Sequence, residues 1–443
     1  MVNREKIIKT VVDIGNSKIK AIIGELSEDG EILKVIKYVE APSEGMVKNE
    51  IKDGEILSKK IKNVIDHLNE YSENDIESIT IGMGGEKVKS RTTNIELSFQ
   101  EAEITEEHIK ILVKEAEEKV LEDSEQIIKT EIYNVRIDNS GIVKNPLGVI
   151  GSKIQADVHL IYTEKKRVAK LVETINRIGI DVENIILNAY ASAKSTLEEE
   201  DRRMGVALVD IGEGSTDIIL YKNDKIIYTE TIPLGGMHFK SDLVYILKLN
   251  ETETAIDILE KYRNKDISPD GYIYYGEGKH ISALELEDFI NARVDEMIEY
   301  IDETIEKSGF TGYLGKGLVL TGGVIYDKII NTDKLLEKIN KKTGYVARKV
   351  LPSTFRGLEN VNTSMATVIG LFYEVMEEED RKIRTGSYTY QEIELKNEKV
   401  EQHSMDEEEE FTKLLEEDLE KKAEEKKENG VMKAIKNWFS NFI

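Results

Sequence analysis

Residues 205–217 read Gly-Val-Ala-Leu-Val-Asp-Ile-Gly-Glu-Gly-Ser-Thr-Asp, and residues 7–17 read Ile-Ile-Lys-Thr-Val-Val-Asp-Ile-Gly-Asn-Ser. Each is an apolar, β-branched run that ends in Asp-Ile-Gly. A small polar turn follows, and then a second apolar run, Ile19–Ile23 or Ile218–Tyr221. This pattern predicts two hairpins, each delivering an aspartate at the end of its first strand. The copies lie 197 residues apart. A repeat that long implies two related domains facing one another rather than a short-period array.

If the domains face each other, Asp13 and Asp210 meet across one cleft. Two carboxylates beside glycine-rich turns suit a hydrated Mg²⁺ that bridges nucleotide phosphates. Gly15, Asn16, Ser17 and Lys18 in the first turn, and Gly212, Glu213, Gly214, Ser215 and Thr216 in the second, offer backbone N–H donors with little bulk. Lys18 is the candidate for neutralising the phosphates. A third element, Leu320-Thr321-Gly322-Gly323, follows a short buried strand and suits close backbone approach to a nucleoside. A lone Asp-Ile-Gly would read as a tight hairpin; two copies in matching context favour nucleotide binding.

Composition bounds the alternatives. The chain has 443 residues, 40% hydrophobic and 33% charged, with a formal net charge of −25. Such acidity argues against nucleic-acid binding, which needs clustered cations. There is no cysteine, which removes disulfides, thiolate metal sites and cysteine nucleophiles and fits a reducing compartment. The six histidines show no ligand-like spacing. No apolar run reaches the length of a signal peptide or a spanning helix.

Helical or strand periodicity predicts helices near 53–68, 104–121, 165–179, 189–197, 237–248, 252–263, 283–307 and 364–376. Strands are predicted at 76–83, 127–136, 153–162, 226–233 and 317–320. From 377 the composition changes. Residues 401–429 carry 13 acidic and 5 basic side chains, and 377–429 are expected to form an acidic, disordered linker. At 430–443 the character changes again. On a helical wheel Val431, Ile435, Trp438, Phe439 and Phe442 fall on one face, opposite Lys433 and Lys436. Thirteen helical residues span about 20 Å, too short to cross a bilayer. The pattern predicts an amphipathic helix lying in an anionic membrane surface; the alternative is a docking helix. Individually weak binding would be strengthened by avidity in a polymer.

This ordered set resembles the superfamily of actin, heat-shock chaperone ATPases and sugar kinases. Asp13-Ile-Gly-Asn-Ser17 is similar to its first phosphate loop, Asp210-Ile-Gly-Glu-Gly-Ser-Thr-Asp217 to the second, and Leu320-Thr-Gly-Gly323 to the adenosine motif. Within it the chain resembles the FtsA family of bacterial cell-division proteins. Four features carry this: Ala41-Pro-Ser-Glu-Gly-Met46 before the first long helix; residues 85–162, similar to the family's inserted subdomain; Ile232-Pro-Leu-Gly-Gly236 leading to a helix; and the acidic tether with its terminal helix.

The resemblance implies an α/β, two-domain actin-like ATPase fold with an inserted α+β subdomain. Domain one would comprise 1–84 and 163–203, the insert 85–162, and domain two 204–376 with a small subdomain at about 237–316. It implies ATP and Mg²⁺ as ligands, with Gly235 and Gly236 also near the nucleotide, hydrolysis at most slow, and Glu213 the one candidate for holding a water. Ile256 and Leu259 stand where the family carries a Glu and a Lys that contact the nucleoside. It implies polymerisation with further copies, FtsZ bound by its C-terminal tail near Arg293, and other division proteins met through 85–162. The site of action would be the cytoplasmic face of the cell membrane at the division site. The rivals are a membrane-tethered scaffold of another machine, such as pilus assembly, and a kinase of the same superfamily, which would need a general base that the sequence does not offer.

Overall fold

The computed structural model describes residues 6–26, 33–138, 140–264, 268, 271–327 and 329–385. These belong to one compact unit. The tether beyond Thr385 and the terminal amphipathic segment, including Val431, Lys433, Ile435, Lys436, Trp438, Phe439 and Phe442, lie outside the described residues.

Domain one opens with strands β1 (Ile7–Ile14), β2 (Lys18–Leu26) and β3 (Leu33–Pro42), a short hairpin β4 (Met46–Val47) and β5 (Glu50–Ile51), helix α1 (Gly54–Asn69) and β6 (Ser78–Met83). The insert follows as β7 (Lys89–Glu103), α2 (Glu106–Val120), β8 (Glu125–Ile137) and β9 (Ile150–Glu164). The chain returns through α3 (Lys165–Asn176), β10 (Asp181–Leu187), α4 (Asn188–Thr196) and α5 (Glu199–Met204). Domain two contains β11 (Val206–Ile211), β12 (Thr216–Lys222), β13 (Lys225–Ile232), α6 (Met237–Ile246), α7 (Thr252–Arg263), β14 (Tyr272–Gly276), β15 (Lys279–Ser282) and α8 (Ala283–Lys307). It continues with β16 (Leu318–Thr321), α9 (Gly323–Asp327), α10 (Thr332–Thr343) and β17 (Ala347–Lys349), and the last described helix is α11 (Ala366–Thr385).

The duplication read from the two Asp-Ile-Gly runs holds at the level of topology. Sheet one has the order β10-β6-β1-β2-β3 and sheet two the order β13-β12-β11-β16-β17. In each, the first three strands of the domain form an antiparallel meander, and two later strands add parallel to the first. Both sheets are covered on both faces, which is why their strands read as near-continuous apolar runs. Val12 faces α1 and α3, where Leu57, Ile61, Ile65 and Ile175 are buried. Its neighbour Val11 faces α11, with Val368, Phe372 and Val375. In sheet two, Val209 and Leu320 face the α8 side, while Leu208 and Val319 face α4.

The insert is a three-stranded antiparallel sheet, β7-β9-β8, with Leu112 and Ala116 of α2 covering one face. Several elements go beyond the sequence reading. Strands β3, β7, β10 and hairpin β14–β15, with helix α10, carry mixed polar patterns, and their tertiary ladders and packing decide them.

The last helix corrects the expected domain division. The sequence reading places it in domain two, ending at 376, with linker beyond. Instead α11 crosses back to sheet one, because its apolar stripe Val368-Phe372-Val375 matches the open face of β1 and β2. It also runs past the composition change to Thr385, where Lys194 of α4 pairs with Glu377. Together α4 and α11 form the layer between the two sheets.

Candidate functional site: a nucleotide-type cleft between the two domains

The two Asp-Ile-Gly turns have the same construction. Ile14 pairs with Ile19 and Ile211 with Thr216, so each turn holds four residues. Each is closed by one bond: Gly15 N–H to the Lys18 carbonyl (3.0 Å) and Gly212 N–H to the Ser215 carbonyl (2.9 Å). The turns meet. A Cβ at Gly214 would lie 2.3 Å from Asn16 Nδ2, so any larger residue there would displace the Asn16 side chain. Between the turns opens a cleft of about 130 Å³ that is open to solvent. Its lining includes Asp13, Gly15, Asn16, Ser17, Lys18, Asp210, Gly212, Glu213, Gly214, Ser215, Gly322 and Gly323.

Three expected members lie elsewhere. Thr216 is fully buried, with its hydroxyl donating to the Leu234 carbonyl (2.8 Å). Gly235 and Gly236 support the second turn from behind: Gly236 N–H donates to the Gly212 carbonyl (3.0 Å) and Met237 N–H to the Glu213 carbonyl (2.8 Å). Leu259 is core, and Ile256 is half-buried.

The electrostatics were only partly legible. In sheet one Asp13 pairs across the strands with Lys20; at the equivalent place in sheet two Asp210 pairs with Asp217. Lys20 Nζ sits 3.8 Å from Asp13 Oδ2 and donates to the Ser364 carbonyl. Lys20 is therefore the cation nearest the metal-type carboxylate, whereas Lys18 is paired with Glu40 at the surface. Burial raises the pKa of Asp13, with Asp210 adding to the rise and Lys20 opposing it. Burial also raises Asp210, against the Ser192 hydroxyl that donates to it (2.5 Å). Asp217 is pushed up to about 7, chiefly by burial, despite the Thr231 hydroxyl bound to it, with Asp210 and Asp13 adding to the shift.

Lys20 offsets only part of the charge of these carboxylates, and a divalent cation would offset the rest. Among the described residues no cluster of three or more metal-type side chains is placed to hold an ion directly. Asp13 and Asp210 are the carboxylates that a cation held through water would approach here. Close backbone approach fits a nucleotide as well: at Gly322, φ is +101° and a Cβ would stand 2.4 Å from Asp210 Oδ1. The Asn188 Oδ1, on the cleft wall, is buried without a hydrogen-bond partner.

Glu213 does not point a bare carboxylate at phosphate. Lys240 of α6 holds it at 2.7 Å. Arg293 is likewise engaged within the fold: it forks onto both oxygens of Asp242 (2.7 and 2.6 Å) and bonds Glu296, clamping α8 to α6. Lys20, Asn49, Asn188, Asp217, Val324, Tyr326, Asp327, Thr363, Ser364 and Thr367 complete the lining, and the sequence reading names none of them as a site residue. Only Asp217, inside the repeated motif, carried a sequence signal.

The family model described as the SHS2 domain inserted in FtsA matches residues 85–162, the bounds expected for the insert, and the model described as cell division protein FtsA matches 207–267. The cell division protein FtsA of Pseudomonas aeruginosa is 28% identical over 373 residues, 81% of this chain and 87% of that one. The chain is similar to the FtsA family over most of its length. The FtsA of Borreliella burgdorferi is also 28% identical, covering 81% of this chain and 89% of its own. Among solved structures, the PilM–PilN type IV pilus biogenesis complex aligns with a TM-score of 0.58 over 84% of this chain and 99% of that one, at 13% identity. That likeness concerns the fold. The relatives are named as cell-division proteins, and the fold of this chain is actin-like with the SHS2-type insert. Among the described residues no helix is long and apolar enough to cross a membrane.

Proposed function

We propose that the protein binds ATP with Mg²⁺ in the cleft, polymerises, and anchors FtsZ filaments by their tails to the inner face of the cytoplasmic membrane at the division site. The observation that supports this best is the cleft itself, two matched Asp-Ile-Gly turns in a chain similar to the FtsA family. Lys20 and the turn N–H groups would hold phosphate. Asp13 and Asp210 would hold the hydrated metal, which when bound supplies charge neutralisation between the phosphates and these carboxylates. Ser192 fixes Asp210 for that role. Among the described residues no group is placed as an evident base for water, and turnover would be slow. The anchor would be residues 431–443, whose apolar face and opposed lysines suit an anionic surface. Other division proteins would meet the insert at 85–162.

Co-sedimentation with anionic liposomes tests the anchor. The full chain and a version ending at Asn429 are compared, each with and without Mg²⁺–ATP and FtsZ. The full chain is expected to pellet and bring FtsZ down, and the shortened one to stay in solution. If both stay soluble, the anchor reading fails while the cleft reading stands.

A further inference from the structure

The phosphate-loop argument leaves one cleft segment unused, the hairpin β4–β5. Its tip, Lys48–Asn49, holds two successive residues in the left-handed region, with φ of 50° and 59°. That is the geometry of a tight two-residue hairpin turn. Asn49 N–H donates to Asn16 Oδ1 (2.8 Å), and Asn16 Nδ2 donates back to Asn49 Oδ1. Asn49 Nδ2 donates to Ser215 Oγ (2.6 Å). Asn16 belongs to the turn of domain one and Ser215 to that of domain two, so one side-chain amide closes both turns over the cleft. From behind, Arg167 donates to the Asn49 carbonyl (3.2 Å), the Gly84 carbonyl (2.9 Å) and Thr163 Oγ1 (3.0 Å). Gly84 and Thr163 flank the two points where the insert leaves and rejoins domain one. Asn49 is therefore tied at its front to the phosphate turns and at its back to the roots of the insert.

We propose that Asn49 is a positioning residue that reads the terminal phosphate of a nucleoside triphosphate and passes that reading to the inserted subdomain through Arg167. The proposal rests on the nucleotide reading of the cleft. The amide is neutral, so it donates to a phosphate oxygen without adding charge. A terminal phosphate offers it a charged acceptor, stronger than the Ser215 hydroxyl it now holds. A diphosphate leaves the amide on Ser215. The two states differ in which acceptor the amide takes, and the Arg167 bond to the Asn49 backbone moves with it.

Three measurements on the full chain test this. The first is the ratio of affinities for Mg²⁺-bound ATP and ADP, by displacement of a fluorescent nucleotide, for the wild type, Asn49→Ala and Asn49→Asp. The aspartate keeps the shape and removes the donor, which guards against simple misfolding of the alanine variant. The wild type should prefer ATP by about tenfold, and both variants should fall to within about twofold of parity. The second is hydrogen exchange, which at 84–90 and 163–167 should differ between the ATP and ADP forms only in the wild type. The third uses the absence of cysteine: Asn49→Cys with Ser215→Cys should form a disulfide under mild oxidation without nucleotide. Equal discrimination by the wild type and both variants would overturn the sensing role alone. A wild type that binds neither nucleotide would overturn it together with the nucleotide reading. Failure of the cysteine pair to join would remove the clasp.

Discussion

At the residue scale, the duplicated motif differs most where one position carries Lys20 and its equivalent carries Asp217. The first copy is a paired charge; the second is two carboxylates directly opposite one another, an unfavourable cross-strand arrangement. Asp217 responds by holding its proton up to about pH 7. Because its pKa is higher folded than unfolded, the folded state gains stability as pH falls from about 7 toward 4 and loses it as pH rises. His159 opposes this: burial lowers its pKa to about 4, so it costs stability as pH drops below about 6.5. The difference between Asp217→Asn and the wild type isolates the first effect. Asp217→Asn should melt higher than the wild type at pH 8, and the gap should shrink steadily toward pH 5. A gap independent of pH would show that Asp217 is not the titrating group. Asp217 was legible as part of the motif; its charge state was not, since that depends on Asp13 and Asp210 being folded against it.

At the element scale, α4 and α11 carry the join between the domains. Gly370 of α11 lies against the Ala191 carbonyl of α4, where a Cβ would stand 1.7 Å away. Backbone sits on one side and helix on the other, so no flexible side chain can give way. Gly370→Ala is expected to destabilise the protein by about 2 kcal/mol or more by forcing these helices apart, read as a fall in the denaturant midpoint. Since Ser192 and Thr367 of the same helices stand at Asp210, ligand binding should weaken with it. An unchanged midpoint would mean the crossing has slack. The sequence shows a glycine in an apolar helical run here and nothing about what it meets.

At the scale of the whole molecule, the insert is rooted in domain one but also bears on domain two. Ser90 Oγ donates to the Thr229 carbonyl (3.0 Å) and accepts Thr229 N–H (3.2 Å), and Glu131 pairs with Lys225 (3.3 Å). Along β9, alternate residues serve different cores. Leu160 belongs to the insert's own core with Leu112, whereas Ile161, fully buried, joins Val206, Ile219 and Ile226 of domain two. Ile161→Ala should cost about 3 kcal/mol and raise hydrogen exchange along β13. Leu160→Ala, at similar cost, should instead loosen β7 and α2. Identical exchange patterns in the two variants would mean that the insert does not couple to domain two.

Local information determined much of this protein. Two β-branched runs ending in Asp-Ile-Gly specify two hairpins, because period, turn residues and the terminal carboxylate are all properties of neighbours in the chain. Their matching context specified the duplicated architecture and placed Asp13, Asp210 and both turns in one cleft. What only the tertiary structure decided are the relations between distant residues. Lys20 rather than Lys18 faces Asp13, Lys240 neutralises Glu213, and Asp242 engages Arg293. Thr216, Gly235 and Gly236 stand behind the turn, α11 returns to the first sheet, and Asn49 reaches both turns. Each depends on which side chain from a remote segment arrives within hydrogen-bond or packing distance, and burial then sets its charge and its partner.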